Sequence, residues 1–143
     1  MTDIDTEPAI RRRSPAASVT GSRIIVWVVL VLAVARTAWI GDDALITLRH
    51  ALNLTHGWGA GFNATESVLG ATHPMWFLLW TGLGSISDYW ILSNLIVSIC
   101  LSAAAIALLL WSARTVLLVV GAGTLLFLSS AFIDYTTSGL ENP

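Results

Sequence analysis

The stretch that decides the fold is residues 24–40, IIVWVVLVLAVARTAWI, which is followed at once by Gly41, Asp42 and Asp43. The run is long and apolar enough to predict a helix that crosses a bilayer, which needs about 17–25 residues. Two adjacent carboxylates at its end would lie at the membrane–water boundary, within reach of a lipid-borne group and of water. A structural role needs no second carboxylate there, so we expect this pair to serve chemistry between a lipid carrier and a soluble acceptor.

The composition agrees with a chain whose surface faces lipid. Of 143 residues, 55% are hydrophobic and only 11% are charged, and the mean hydropathy is +0.75. A soluble domain has about 25% charged residues. The net charge of −2 argues against nucleic acid as a partner. We therefore predict an all-α, polytopic helical membrane protein, with the lipid bilayer as its main environment.

Two further runs, residues 90–111 and 115–133, are uncharged and long enough to span. Only residues 112–114 separate them, so they should form a tight hairpin with Arg114 at its tip. Small and polar residues inside these runs are expected to serve helix packing rather than chemistry; they are Asn94, Ser98, Ser102, Gly121 and Gly123. The predicted module, residues 24–143, thus contains three spans.

Residues 1–23 are polar and rich in Arg, which predicts a disordered cytoplasmic tail. A cleaved signal peptide ending near Ala33 or Ala35 is the alternative. The later spans and the interruption by Arg36 argue against it. Arg36 itself would either anchor the helix at the interface or pair with Asp43.

The topology follows from parity. Residues 74–86 are apolar but too few for an ordinary span, and are typical of a segment lying in the interface. With the N-terminus and Arg114 both cytoplasmic, an even number of crossings must separate them. Residues 41–89 then form one extracytoplasmic loop, with Trp76, Trp80 and Trp90 at headgroup depth. The tail, residues 134–143, emerges on the same face.

Within that loop, residues 42–56 show helical periodicity. One side is apolar and comprises Ala44, Leu45, Leu48, Ala51 and Leu52. The other side is polar and comprises Asp42, Asp43, Thr47, Arg49, His50 and Asn53, with Ile46 and Leu54 as apolar exceptions. The pattern predicts a helix in the membrane plane with its apolar side toward lipid. A merely solvated polar face is the alternative interpretation.

Taken together, several motifs resemble one family. They are GDDALITLR at residues 41–49, HGWG at 56–59, Phe62-Asn63, Glu66, THPMW at 72–76 and TSGLENP at 137–143. The set looks like the start of a polyprenyl-phosphate-sugar-dependent glycosyltransferase of the GT-C superfamily. It most resembles the actinobacterial terminal β-(1→2)-arabinofuranosyltransferases.

The resemblance implies a decaprenyl-phosphoryl-arabinose donor, an arabinan or arabinogalactan acceptor in the cell wall, and a first periplasmic loop with juxtamembrane helices. It has departures, since the common Asn-Pro-Gly-Glu turn is here Asn63-Ala64-Thr65-Glu66, and Leu48 stands where an aromatic residue is frequent. Enzymes of this family are several times longer and carry a carbohydrate-binding domain. We therefore expect this chain to correspond to an N-terminal fragment that is inactive alone.

The family's aspartate pair corresponds to Asp42 and Asp43. We expect one to act as a general base, or as a nucleophile if the anomeric configuration is retained. The other would orient the acceptor or hold a divalent cation such as Mg²⁺ or Mn²⁺. The remaining candidates bind substrate: Arg49 and His73 at the donor phosphate, His50 and Asn53 on the same polar side, and Glu141 and Asn142 from the tail.

Two other functions stay open. One is transfer of a different sugar, such as mannose or another pentose, from the same kind of carrier. The other is a transporter or a non-catalytic membrane scaffold. A transporter would place ionisable groups within its spans, where only Arg36 is found.

Overall fold

The computed structural model describes residues 15–63 and 73–140, which form helices and turns with no β-strand among them. The helices are α1 (Pro15–Arg36), α2 (Asp42–Thr55), α3 (Pro74–Ile86), α4 (Trp90–Ser112), α5 (Val116–Leu128) and α6 (Ser130–Tyr135). The all-α prediction is confirmed for these residues. Two of the helices, α1 and α4, are long and apolar enough to cross a membrane.

The first helix starts earlier than the apolar run predicts. It begins at Pro15, whose fixed φ suits the first helical turn, and it ends at Arg36. Residues 15–23 are therefore helical, and the prediction of disorder is wrong for them. Val19 explains part of this extension, because it packs against the buried cluster that joins α1 to α4 and α5. The rest of the predicted tail, residues 1–14, lies outside the described residues.

The predicted third span is divided at Ser129. This residue has an extended backbone, ends α5, and accepts a hydrogen bond from the Phe132 N–H through its side chain, so it caps α6. Serine is favoured at such caps because its hydroxyl replaces a missing helical partner. The 13 residues of α5 extend only about 20 Å at about 1.5 Å per residue. A single unbroken helix over residues 115–133 is thus not found.

Helices α1, α4 and α5 form one layer around Leu30, Ile106, Leu110 and Val119. The Trp27 indole donates to the Ala103 carbonyl over 2.7 Å, which joins α1 to α4. Most of the remaining apolar surface is uncovered: Leu117, on α5, is 81% exposed. Among the described residues, no further helix covers this exposed apolar surface.

Close approach of α1 and α5 depends on one glycine. A Cβ added to Gly123 would lie 2.3 Å from a methyl carbon of Val26, whereas one added to Gly121 would meet nothing within 4 Å. The packing role predicted for both glycines is therefore confirmed for Gly123 only. The predicted packing role of the α4 polar residues is confirmed, because all three are buried and linked in series; they are Asn94, Ser98 and Ser102.

A second cluster joins α2, α3 and the start of α4. Its buried members are Ala51, Trp76, Phe77 and Trp80. Trp76 and Trp80, which were predicted to lie at headgroup depth, both pack inside the protein rather than on its surface. α3 ends against α4 with almost no space, because a Cβ at Gly84 would lie 2.0 Å from the Trp90 ring.

Candidate functional site

The site is organised by the segment that follows α6, residues 136–139, which we call the return segment. Thr136, Thr137 and Ser138 are buried in it. The Ser138 carbonyl accepts a hydrogen bond of 2.7 Å from the Gly41 N–H, directly before the acid pair. The chain therefore comes back from the far end of the sequence to the N-terminus of α2.

Gly139 completes this return. Its carbonyl accepts from the Trp76 indole at 2.8 Å and from the Asn94 amide at 3.3 Å. Its φ of +89° is one that other residues rarely adopt, and a Cβ would lie 2.7 Å from that of Ala44. One glycine thus connects the TSGLENP motif to the THPMW motif, to the acid-pair helix and to α4.

The acid pair occupies the first turn of α2. Asp42 and Asp43 are both exposed, and the N-cap Gly41 offers no side-chain cap. The positive end of the helix dipole favours negative charge at this place. Within residues 15–63 and 73–140 neither carboxylate forms an ion pair, so of the two roles considered for Arg36 the pairing with Asp43 is not found.

Three residues of the polar side of α2 point inward, contrary to the predicted orientation, whereas Arg49 on that side is exposed. Thr47, His50 and Asn53 are buried. Three apolar residues of the same helix are exposed instead: Leu45, Ile46 and Leu54. The physical reason is that each buried polar side chain has a hydrogen-bond partner: Thr47 bonds His73, which precedes α3, and Asn53 bonds the turn after α2. His50 bonds the Ile46 carbonyl of its own helix.

His73 reaches α2 from the residue before α3. Its Nε2 lies 3.0 Å from the hydroxyl of Thr47, and Thr47 lies one helical turn after Asp43 in α2. His50 is 1% exposed, and its Nδ1 donates to the Ile46 carbonyl over 2.7 Å. A carbonyl only accepts, so Nδ1 carries a proton there. His73 therefore lies beside the acid-pair helix, whereas His50 belongs to the interior.

Arg49 and Asn53 hold the turn that follows α2. The Asn53 amide donates to the Gly61 and Phe62 carbonyls at 2.8 and 3.0 Å. Arg49 is exposed, donates from Nε to the Phe62 carbonyl at 3.2 Å, and places its guanidinium 5.2 Å from the centre of the Phe62 ring. Its position seven residues after Asp42 corresponds to about 10 Å along the helix. Arg49 is thus a fixed cation on the same helix as the acids.

The structure therefore sorts the predicted site residues into three groups. Asp42, Asp43 and Arg49 are exposed, and His73 is half-buried beside Thr47 of the same helix. His50 and Asn53 are buried and serve the interior. Glu141 and Asn142 lie outside the described residues, as does Glu66 of the family motif. The described residues contain no cluster of three or more His, Cys, Asp or Glu that could hold a metal ion.

Sequence reasoning missed the return segment as a structural element. Its burial could have been anticipated from Thr-Thr-Ser-Gly, because small residues ending in glycine suit a segment that must lie between helices. Comparison with known proteins adds no relative, since no family model, no curated protein and no solved structure matches this chain.

Proposed function

We propose that this chain is part of a polytopic membrane glycosyltransferase of the GT-C type. It would transfer arabinofuranose from decaprenyl-phosphoryl-arabinose to cell-wall arabinan at the extracytoplasmic face of the plasma membrane. The observation that carries the proposal is the meeting of three distant motifs. Gly41, Trp76 and Gly139 come from different motifs of the family resemblance, and hydrogen bonds join the three stretches beside the acid pair.

The arrangement of the helices supports this topology. Arg23 donates to the Ala113 carbonyl at 2.6 Å, so the start of α1 and the turn carrying Arg114 lie at one end of the layer. The acid pair and the return segment lie at the other end. Arginines favour the cytoplasmic side, and with Arg23 and Arg114 there the acid pair would lie outside. With α1 and α4 spanning, α5 and α6 would return the chain to the outer face.

The chemistry requires a base and charge neutralisation. One carboxylate of the pair takes the proton of the acceptor hydroxyl as that oxygen bonds to the anomeric carbon. The bond from this carbon to the phosphate oxygen breaks, and the lipid phosphate leaves with the electron pair. Arg49 binds the departing phosphate, and His73 is the weaker candidate for the same role. A divalent ion such as Mg²⁺ at Asp42 and Asp43 would supply further neutralisation.

The burial of His50 and Asn53 assigns them a different role. Both side chains bond backbone carbonyls of the protein, at Ile46 and at the turn after α2. We propose that they position the helix and the turn rather than contact the sugar. The substrate-contacting set is then Asp42, Asp43, Arg49 and His73, with Glu141 and Asn142 expected to join it from the tail.

The test is a transfer assay in membranes of cells that express the natural gene in full. Labelled decaprenyl-phosphoryl-arabinose and decaprenyl-phosphoryl-mannose are offered separately with an arabinan acceptor. We expect transfer of arabinose, and a loss of about 10²–10⁴-fold in Asp42→Asn or Asp43→Asn, as removal of a general base produces. The matched control is Asp88→Asn, because Asp88 is also exposed but lies outside the site.

The outcomes separate the candidate functions. Wild-type rates in both acid-pair variants would contradict the catalytic assignment. A loss of equal size in Asp88→Asn would show that the effect is general surface charge. Transfer of mannose alone would keep the reaction class and replace the sugar. No transfer from any polyprenyl-phosphate sugar, with the protein correctly inserted, would favour a scaffold or transporter.

A further inference from the structure

A second polar site lies at the opposite end of the helical layer. An open pocket of about 290 Å³ is lined by Ala16, Val19, Thr20, Arg23 and Arg114. It is bounded by the first turns of α1 and by the turn between α4 and α5. None of these residues takes part in the proposed transfer reaction, so this pocket needs its own explanation.

The pocket carries uncompensated positive charge. The Arg23 guanidinium is half-buried and bonds one neutral carbonyl, that of Ala113, while its Nε is enclosed without any acceptor. Arg114 is exposed. Neither forms an ion pair within the described ranges. A half-buried guanidinium bonded only to a carbonyl favours an anion nearby, because low-dielectric surroundings strengthen the attraction.

The surroundings indicate which anion fits. The pocket contains the apolar side chain of Val19, and Leu117 and Leu118 are exposed in the first turn of α5, just after Arg114. A ligand that bonds the two guanidiniums would therefore have apolar surface beside it. Basic pockets between membrane helices bind anionic lipid headgroups on the cytoplasmic side.

We propose that this pocket binds the phosphate of an anionic phospholipid, with the acyl chains against the apolar start of α5. The inference is independent of the proposed glycosyl transfer, because it uses the other end of the protein. Inorganic phosphate offers the same bonds to the guanidiniums without the apolar contact. The carboxylates of Asp3, Asp5 and Glu7, which precede α1 in the sequence, are the competing occupant.

The experiment is native mass spectrometry of the full chain in a neutral detergent, titrated with phosphatidylglycerol. Phosphatidylcholine of the same chain length and inorganic phosphate form the parallel arms. We expect phosphatidylglycerol to bind at least tenfold more tightly than either. Arg114→Gln should weaken it about fivefold, which is the effect of about 1 kcal/mol for one basic residue at an anionic lipid surface.

Arg36→Gln is the matched control. It removes the same charge from an exposed position at the opposite end of α1, and its affinity should equal that of the wild type. Arg23→Lys retains the charge but removes the planar fork of the guanidinium. Its affinity for phosphatidylglycerol should lie between those of the wild type and Arg114→Gln. Arg114 is exposed with no hydrogen bond to other described residues, so its variant should fold and keep the test decisive.

Four results would overturn the proposal. Equal binding of phosphatidylcholine would show a purely apolar site, and equal binding of inorganic phosphate would show a soluble anion site. Equal weakening in Arg36→Gln would show that only net charge matters. A wild type that binds no phosphatidylglycerol, together with a variant with Asp3, Asp5 and Glu7 neutralised that does, would identify the tail as the occupant.

Discussion

Replacing Gly139 with alanine should break the junction on which the proposed site depends. The return segment places this glycine between the start of α2 and α3, with its carbonyl bonded to Trp76 and Asn94. A Cβ there would lie 2.7 Å from the Ala44 Cβ and 3.0 Å from the Ile40 side chain. Ala44 has no rotamer that could move away, so the backbone must shift.

The expected loss of stability has two parts. Alanine at a positive φ costs about 1–2 kcal/mol. Forcing extra volume into a packed contact costs about 1–3 kcal/mol more. The sum, roughly 2–5 kcal/mol, is a large fraction of the stability of an ordinary domain. We expect Gly139→Ala to lower the free energy of unfolding by this amount.

Gly59→Ala is a control matched to Gly139→Ala in backbone conformation. Gly59 has the same φ of +89° as Gly139, but a Cβ there would meet nothing within 4 Å. It therefore reports the backbone cost alone, and the difference between the variants isolates the packing cost. Both are measured by titrating the purified chain with a denaturing detergent in mixed micelles and following far-ultraviolet circular dichroism. If the two variants lose equal stability, the packing argument for the return segment is refuted.

Three further predictions concern other parts of the molecule. Gly123→Ala should destabilise the chain by about 1–3 kcal/mol through overpacking, while Gly121→Ala should not; equal effects would contradict the close approach of α1 and α5. Asn53→Ala should cost about 1–3 kcal/mol, because the Gly61 carbonyl loses its donor and the Phe62 carbonyl keeps only Arg49, and protease cleavage in the turn after α2 should accelerate; unchanged cleavage would argue against Asn53 as the residue that fixes this turn. In a cysteine-free background, a cysteine replacing Asp88 should react with a membrane-impermeant maleimide applied to intact cells, and one replacing Ser112 should react only after permeabilisation; the reverse pattern would invert the proposed topology.

The sequence predicted a helix correctly wherever an apolar run had clear ends. Helices α3 and α4 start at the predicted residues, Pro74 and Trp90, because the residue before each, His73 and Tyr89, has a non-helical backbone. The serine break in the third run was not predictable from composition. Ser129 ends α5 and caps α6. A hydropathy window averages over many residues and so does not detect the effect of this single one.

The orientation of α2 could not be read from its own periodicity. The pattern defines two sides of the helix, but only the neighbours decide which side is covered. α3 brings His73 to Thr47, and the turn at Gly61 and Phe62 brings carbonyls to Asn53. Once these partners are present, burying the polar side chains of α2 costs little free energy, because each side chain is hydrogen-bonded.

The burial of polar residues of α2 limits the kinds of substrate that this helix can contact. With Thr47, His50 and Asn53 buried, the exposed surface of α2 combines the acid pair and Arg49 with the apolar side chains of Leu45 and Ile46. A purely soluble substrate would gain nothing from exposed leucine and isoleucine beside two carboxylates. A substrate with a lipid portion and a charged headgroup would contact both kinds of surface at once. The exposure of Leu45 on the same helix as the acids, which the sequence pattern did not predict, therefore adds to the support for a lipid-linked substrate.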